Sequence, residues 1–476
     1  MNVHTDFAMA APEIFLLAAT CVILVVDLMV PDTRRVVTQW LSVIALLATA
    51  GIAAAVTPAT PEIGFHGMYI LDPLAGTLDI AVCLAAAVTL VYARSYLDQR
   101  GLHRGEFYLL ALFSTLGSMV IISGHSFLTL YLGLELMSLA LYAMVAFNRE
   151  SVASAESAMK YFVLGAISSG MMLYGMSILY GVSGSLDISQ VSSYIVVHGR
   201  DPALLLALTF VVASMAFKFG AVPFHMWMPD VYNGAPTPVT LFVGSAPKIG
   251  AFAMFMRLLV AGLGGLHTDW SHLLIVLSVL SLGLGSFLAI AQTNIKRMLA
   301  YSTITHVGFI LLGILAGTRG GYAAATFYTL VYVLMTMAAF GILILLSRRG
   351  FEAENLDDMK GLNARSPWFA GMMLLAMFSM TGVPPTVGFY AKLVVLSAVV
   401  DAGHVWLAAV AVVFAMISAF YYLRVVKLMY FDEPEDTAPI EAPVDLRAVL
   451  SANGIALLVL GVLPGALMGL CQAIFV

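Results

Sequence analysis

Four charged side chains lie inside strongly apolar stretches of the sequence. Glu135 stands in "LTLYLGLELMSLALY", Lys218 in "SMAFKFGAVPFHMWMPD", Lys248 in "APKIGAF" and Lys392 in "TGVPPTVGFYAKL". A carboxylate and an ammonium in one low-dielectric interior stabilise each other's charged forms, while desolvation favours the neutral forms. A buried lysine therefore gives up its proton more readily than a lysine in water. These residue types at these positions predict a proton relay.

A structural role for the same lysines is the competing interpretation. Each could be a buried counter-ion or a hydrogen-bond donor between helices. A lysine at the centre of a membrane helix costs on the order of 2.5 to 3.5 kcal/mol on insertion scales, so such residues usually face a protein interior or a wet cavity. Three lysines with a matching acid favour the relay. Asp27 and Asp79, also in or near apolar segments, are better explained as caps or packing partners.

Three histidines have weaker claims to a role in proton transfer. His306 in "STITHVGFILLG" lies at mid-depth of its apolar segment, where a neutral imidazole can both accept and donate a proton. A hydrogen bond between helices explains it equally well. His225 follows Lys218 and is expected to be a polar lining residue, whereas His125 is expected to be an ordinary loop residue.

Prolines interrupt two of the apolar segments close to these lysines. Pro223 follows Lys218 by five residues, and Pro384 and Pro385 precede Lys392. Proline lacks the N–H that would bond to the carbonyl four residues earlier, and its ring crowds that turn. The freed carbonyls are those of Phe219, Met380 and Thr381. Such breaks are tolerated inside a membrane where they line a cavity or are buried in protein.

The elements that carry these residues are predicted to be membrane helices. The 476 residues are 61% hydrophobic and 10% charged, with a mean hydropathy of +0.97, whereas a soluble domain has about a quarter charged residues. Runs of about 20 apolar residues can cross a bilayer as helix. The fourteen predicted spans are 11–30, 36–56, 69–93, 106–122, 126–147, 158–181, 202–233, 237–261, 271–292, 294–316, 321–347, 366–400, 403–430 and 446–474. The sequence thus predicts an all-α polytopic membrane protein, with 202–233 and 366–400 as broken helices and no cleaved signal peptide.

Basic residues predict the orientation of these spans, since Lys and Arg collect in short cytoplasmic loops. Of the 22 Lys and Arg, sixteen lie in or beside alternate loops, beginning with the loop between the first two spans. Arg200, Arg257 and Arg319 belong to the other loops, and the remaining three are the lysines within spans. This asymmetry predicts an even number of spans with both termini on the outer side of the membrane.

Spans 4 to 8 and 9 to 13 form two sets of five, and the broken helix is the fourth in each. Five is an odd number, so the second set is expected to be inverted, as in transporters built from inverted repeats. Lys218 precedes its break and Lys392 follows its break, which predicts two half-paths open to opposite faces. The predicted divisions are an amino-terminal three-helix segment 1–105, repeats 106–262 and 263–430, and a loop with the final helix 431–476.

Other chemistries lack the residues that they need. Cys21, Cys83 and Cys471 are isolated in apolar spans, so they predict neither a metal site nor an iron–sulfur or haem attachment motif. The sequence contains no phosphate-binding G-x-x-x-x-G-K-[ST] motif, and no catalytic triad stands out. We therefore expect an ion gradient or a partner to supply the energy.

Several motifs resemble one family along nearly the whole chain. "YLGLELMSL", "AFKFGAVPFHMWMPDVYNGAPTPVT", "APKIGAF", "KRMLAYSTITHVG" and "TGVPPTVGFYAKL" look like the antiporter-like subunits of respiratory complex I, the proton-pumping NADH:quinone oxidoreductase. Within that family the subunit N branch, equivalent to mitochondrial subunit 2, is the most similar. Lys392 separates the chain from sister subunit M, which typically has a glutamate there. The chain ends directly after span 14, which separates it from subunit L with its long lateral helix.

The resemblance implies a role for each buried charge. Glu135 and Lys218 would be the coupled pair, Lys248 the connecting lysine and Lys392 the terminal lysine of a proton path. It further implies a non-redox subunit of the bacterial inner membrane, driven by quinone reduction elsewhere in the complex. NADH, FMN, iron–sulfur clusters and quinone would bind to partner subunits and no cofactor to this chain. Expected partners are the lipid bilayer, subunit M and the small subunits K, J and A, with no nucleic acid.

Two other functions remain open from the residues. One is a subunit of a multi-subunit sodium/proton antiporter of related fold, which would work on a gradient without quinone chemistry. The other is a scaffold bundle whose lysines only hold subunits together. Cation-dependent transport in cells without the respiratory complex would favour the former. Full pumping after loss of all three lysines would favour the latter.

Overall fold

The protein is a bundle of membrane-length helices. A computed structural model describes residues 3–31, 34–199, 201–435, 438, 440 and 442–475. The α-helices are α1 Val3–Met9, α2 Ala11–Met29, α3 Val36–Val56, α4 Pro73–Gln99, α5 Gly105–Ile122, α6 Phe127–Val145, α7 Val152–Ser183, α8 Ile188–His198, α9 Pro202–Phe219, α10 Trp227–Gly234, α11 Thr237–Gly244, α12 Ala246–Phe255, α13 His267–Ile290, α14 Ile295–Leu315, α15 Arg319–Leu346, α16 Leu362–Arg365, α17 Pro367–Thr381, α18 Val387–Asp401, α19 Val405–Phe431, α20 Val444–Val462 and α21 Gly465–Ala473. Short 3-10 turns span Phe65–Gly67, Gly264–Leu266 and Leu356–Met359, and a π-helical turn spans Met256–Gly262.

Thirteen helical stretches in the described part of the chain are long and apolar enough to cross a membrane. They correspond to thirteen of the fourteen predicted spans, and Thr237–Gly262 is counted as one stretch although it is interrupted at Ser245. Predicted span 366–400 is missing from that set because it is divided into α17 and α18, of 15 residues each. The prediction of an all-α polytopic membrane protein is confirmed.

Both interrupted helices end in the same way. α9 stops at Phe219 and is followed by Gly220 with φ +83°, and α17 stops at Thr381 and is followed by Gly382 with φ +88°. Glycine adopts this left-handed conformation at no steric cost, which makes it a frequent residue at helix ends. A proline three residues after each glycine, Pro223 or Pro385, prevents the helix from restarting at once.

One further interruption was not predicted. The span predicted as continuous over 237–261 is divided at Ser245, where α11 ends and α12 begins. Pro247 explains the division, because it cannot donate to the carbonyl of Val243 and its ring crowds that turn. The interruption places Lys248 in the first turn of a new helix.

Close helix packing sets the position of α6 beside α5. A Cβ added at Gly117 would lie 2.4 Å from the backbone nitrogen of Met137, and one added at Gly133 would lie 2.9 Å from that of Ile121. Only glycine permits this approach, as is common between membrane helices. α6 begins at the Ser126 cap, whose hydroxyl accepts from the Thr129 N–H.

A small hairpin closes one end of the bundle and was also not predicted. Strands β1 Glu62–Gly64 and β2 Tyr69–Leu71 pair antiparallel between α3 and α4. Tyr69 also forms an isolated bridge to Gly124, at the turn between α5 and α6. Arg257, which the sequence assigns to a loop, is in fact buried near this end and bonded to Asp72, while Arg200 lies outside the described residues.

Candidate functional site

Lys218 is the next-to-last residue of α9, and α6 holds its ammonium. The Nζ donates to Ser138 Oγ at 3.0 Å and to Tyr142 Oη at 3.2 Å. The residue is 7% exposed. Both acceptors are neutral hydroxyls, so they bind the ammonium without the attraction of a carboxylate that would keep it protonated.

Glu135 lies one turn before Ser138 on α6, so the two side chains share a helix face. Its Oε1 is buried and has no hydrogen-bond partner among the described residues. Within the same residues no hydrogen bond or ion pair joins Glu135 to Lys218, although the carboxylate acts on the ammonium through space. The two residues are therefore neighbours without a direct contact.

Lys248 reaches from the first turn of α12 to the end of α9. Its Nζ donates to the Phe219 carbonyl at 2.8 Å and lies 5.4 Å from the centroid of the Trp227 ring. This carbonyl is the one that Pro223 cannot bond. The lysine thus provides the donor that the broken helix lacks.

Lys218 and Lys248 line one small cavity. Its volume is about 10 Å³, and Trp227 and Tyr161 form part of its wall. A cavity needs roughly 10 to 15 Å³ of such volume to admit one water molecule. The space between the two lysines is therefore near the size of a single water.

His306 lies in the middle of α14 between two tyrosines. Its Nδ1 lies 2.8 Å from Tyr328 Oη and its Nε2 lies 3.1 Å from Tyr422 Oη. Tyr422 Oη is also hydrogen-bonded to Ser302 Oγ. The histidine is 2% exposed, and each ring nitrogen has a hydroxyl partner. This chain of hydroxyl and imidazole groups can pass a proton from one member to the next.

Lys392 lies on α18 and turns back toward the end of α17. Its Nζ donates to the carbonyls of Met380 and Thr381 at 2.9 and 2.8 Å, and these are the carbonyls that the two prolines leave free. The ammonium also lies 5.2 Å from the centroid of the Phe309 ring and acts electrostatically on His306. Lys392 therefore caps the second broken helix as Lys248 caps the first.

The prolines and His225 lie outside this buried set. Pro223, Pro384 and Pro385 are exposed on the bundle surface, and His225 is half-buried with an unpartnered Nδ1 among the described residues. His125 is buried at the α5–α6 turn, where its Nε2 lies 2.8 Å from Ser189 Oγ. Within the described part of the chain, no hydrogen bond joins either histidine to a lysine of the site.

Sequence reasoning missed the hydroxyl groups of the site. Ser138 and Tyr142 lie three and seven residues after Glu135, a spacing that places them on its helix face and could have revealed them. Tyr332 gave no such signal. It donates to Thr303 Oγ1 at 2.9 Å and its ring centroid lies 5.5 Å from that of His306.

In the part of the chain that the structure describes, no group of three or more His, Cys, Asp or Glu side chains could hold a metal ion. The chemistry available to the site is proton transfer among lysine, histidine, carboxyl and hydroxyl groups.

Known proteins with similar sequence or structure share this architecture. The family described as "NADH:quinone oxidoreductase/Mrp antiporter, TM" matches residues 123–418. The NADH-quinone oxidoreductase subunit N of Thioalkalivibrio sulfidiphilus strain HL-EbGR7 is 60% identical over 467 residues, covering 98% of this chain and 97% of the relative.

Two solved structures extend the comparison. A chain of respiratory complex I from Thermus thermophilus with bound aureothin superposes with a TM-score of 0.83 at 31% identity, covering 96% of this chain and 98% of that one. A chain of the Mrp complex from Dietzia sp. DQ12-45-1b gives a TM-score of 0.86 at 20% identity, covering 99% and 97%, a likeness of fold. The chain therefore belongs to the NADH:quinone oxidoreductase/Mrp antiporter membrane family, and within it to the group of NADH-quinone oxidoreductase subunit N.

Proposed function

We propose that this chain translocates protons as a non-redox subunit in the membrane arm of a bacterial NADH:quinone oxidoreductase. The path runs through Glu135, Lys218, Lys248, His306 and Lys392, and quinone reduction in partner subunits drives it. The observation that carries the proposal is that Lys248 and Lys392 each donate to the freed carbonyls of a broken helix. Any neutral donor, such as a hydroxyl or an amide, could cap these carbonyls. At both breaks the donor is instead a lysine, which can release a proton.

Neutral acceptors make these lysines suited to release protons. A carboxylate partner would hold an ammonium charged, whereas hydroxyl and carbonyl oxygens stabilise it less. A small shift at a helix break would lengthen the bond from Nζ to the carbonyl and favour loss of the proton. The proton then moves between Lys218 and Lys248 across the cavity that they share.

The second half of the path uses the hydroxyl groups around His306. In our proposal the proton passes from Lys248 to the hydroxyls of Tyr332 and Thr303, which bond to each other, and then to His306, whose two nitrogens bond to Tyr328 and Tyr422. Lys392 receives the proton last. His225 serves as a polar residue beside the first break, outside the path.

The internal repeat belongs to the same proposal. Gly220 and Pro223 have the same spacing as Gly382 and Pro385, and both glycines end a helix in the left-handed conformation. This shared spacing supports repeats at 106–262 and 263–430, and we propose in addition that the repeats are inverted relative to each other and that the termini lie on the outer side. Subunits M, K, J and A are the partners that we propose for the flanks of this bundle.

The test replaces Lys248 by methionine in the whole complex. Methionine keeps much of the side-chain volume but carries no proton, so we expect the rate of proton pumping to fall by about a hundredfold or more. Pumping is measured in vesicles together with the quinone reduced, and assembly is checked on the same membranes.

Lys427→Met is the matched control. The Lys427 side chain is 62% exposed and pairs with Asp432 at a helix end, so its loss should leave pumping unchanged. Normal pumping per quinone by an assembled Lys248→Met complex would contradict the proposed path. A pumped ion that proves to be sodium would contradict its proton specificity.

A further inference from the structure

A second group of buried polar side chains lies where the β1–β2 hairpin covers the bundle, apart from the lysine path. Tyr69 Oη lies 3.0 and 3.1 Å from the two carboxyl oxygens of Glu13. Asp79 on α4 acts electrostatically on both Glu13 and Tyr69. Glu13 is 7% exposed and Asp79 is 1% exposed. The two buried carboxyl groups thus share one volume beside Tyr69.

Two polar atoms in this volume have no hydrogen-bond partner among the described residues. They are Asp79 Oδ1 and Ser123 Oγ. Ser123 is fully buried and lies beside Glu13, Tyr69 and Asp79. Leaving such a group unsatisfied costs about 1 to 3 kcal/mol. The unpartnered carboxyl oxygen is the atom that a bound proton would change, because a protonated Asp79 Oδ1 is a donor for which Ser123 Oγ can be the acceptor.

The neighbouring cation is already neutralised. Arg257 Nη1 and Nη2 donate to Asp72 at 2.6 and 2.8 Å, and its Nε donates to the Ile122 carbonyl at 2.8 Å. Burial alone would raise the pKa of Asp72, but the Arg257 guanidinium outweighs it and holds that pKa below its usual range. The Arg257–Asp72 pair therefore adds no net charge to match Glu13 and Asp79.

The other titratable neighbours are neutral. Burial lowers the pKa of His125, so it supplies no cation near neutral pH. Burial, followed by the negative potential of Glu13 and Asp79, raises the pKa of Tyr69, which stays a neutral donor. Cys83, one turn after Asp79, is fully buried and bonded to Met119 Sδ. No described neighbour offsets two negative charges.

We infer that Glu13 and Asp79 bind one exchangeable proton between them, with Tyr69 and Ser123 as hydrogen-bonding neighbours. Two carboxylates in one low-dielectric site repel each other, and a single shared proton removes most of that repulsion. A proton bound at Asp79 Oδ1 also gives this side chain a hydroxyl that can donate to Ser123 Oγ. None of these residues belongs to the lysine path, so a result that contradicts one of the two proposals leaves the other unaffected.

Infrared spectroscopy of the purified complex tests the inference. At pH 7 the wild-type complex should show the C=O stretching band of a protonated carboxylic acid that the Glu13→Gln/Asp79→Asn variant lacks. The band should shift in D₂O, because the proton exchanges. If the double variant does not assemble, Glu13→Gln and Asp79→Asn are compared singly, and each should move or remove the band.

Asp27→Asn is the matched control. Asp27 is also buried on α2, but it pairs with Arg35 at 2.7 Å and accepts from Thr38 at 2.6 Å, so its removal should leave the protonated band unchanged. If the wild-type complex shows no protonated-acid band that the Glu13 and Asp79 variants lose, the inference is overturned. A band that disappears when sodium replaces choline at equal ionic strength would also overturn it, since the site would then bind a metal cation.

Discussion

The three buried lysines share a feature that their positions alone do not suggest. Each ammonium donates to uncharged oxygen atoms: two hydroxyls for Lys218, one carbonyl for Lys248 and two carbonyls for Lys392. A carboxylate, Glu135, lies near one of them without a direct bond. Lysines held in this way are stabilised enough to fold into the bundle, yet no ion pair with another described residue holds them in the charged form.

Replacing Lys218 by arginine separates a proton carrier from a fixed charge. Arginine keeps the positive charge but stays protonated in proteins. If Lys218 carries protons, we expect Lys218→Arg and Lys218→Ala each to lower the pumping rate by about a hundredfold or more. The measurement is protons pumped per quinone reduced in vesicles, with assembly checked on the same membranes.

The alternative outcome has its own signature. A Lys218 that serves only as a counter-ion should tolerate arginine, while alanine should destabilise the protein, because Glu135, whose Oε1 is buried without a hydrogen-bond partner among the described residues, would lose the neighbouring cation. Lys427→Arg provides the matched substitution at an exposed site. A well-assembled Lys218→Arg complex that pumps normally would rule out the carrier role.

At the scale of elements, the two broken helices depend on glycine as much as on proline. Gly382 has φ +88°, and a Cβ there would lie 3.0 Å from Lys392 Cδ. The same residue is therefore constrained by its backbone conformation and by the lysine that caps α17. Gly371, which lies within α17, has no atom within 4 Å of an added Cβ, which makes it a suitable comparison.

Gly382→Ala should destabilise the protein by about 1 to 2 kcal/mol, because an L-residue in the left-handed conformation is strained by that amount. It should also displace Lys392 and lower proton pumping. Gly371→Ala should be neutral or stabilising by up to about 1 kcal/mol, since alanine favours the helix. Thermal unfolding and pumping are measured on the same preparations, and equal behaviour of the two variants would contradict the argument.

At the scale of the whole molecule, the distribution of basic residues predicts which end of the bundle faces the cytoplasm. Gly101, in the loop between α4 and α5, is exposed with free space around it. Gly361 in a loop of the same predicted side is buried, and a Cβ there would lie 2.5 Å from the backbone nitrogen of Pro434. Exposed Arg349 is therefore the better second position for a label on that side.

Cysteine labelling in intact cells tests this orientation. In a background without Cys21, Cys83 and Cys471, cysteines at Gly101 and Arg349 should be protected from an impermeant thiol reagent. A cysteine at Thr268, exposed at the start of α13, should react, because it lies at the opposite end. Labelling of the first two positions and protection of the third would reverse the predicted orientation.

The sequence by itself determined the class of protein, the spans and the places where two helices break. These features follow from local rules: a bilayer requires about 20 apolar residues per helix, and a proline removes a backbone donor in any surroundings. The same rule named Phe219, Met380 and Thr381 as carbonyls without their usual partners. The division at Ser245 follows from the same rule through Pro247, although the apolar pattern predicts 237–261 as one unbroken span.

Only the tertiary structure decided which groups meet those carbonyls. Lys248 lies 29 residues from Phe219 along the chain, and nothing in the spacing says that their helices touch. The hydroxyl partners of Lys218 and His306, the gap between Glu135 and Lys218, and the group around Glu13 and Asp79 are contacts of the same kind. They depend on how close the helices pack and which faces they turn to each other, and each such contact is set jointly by segments far apart in sequence.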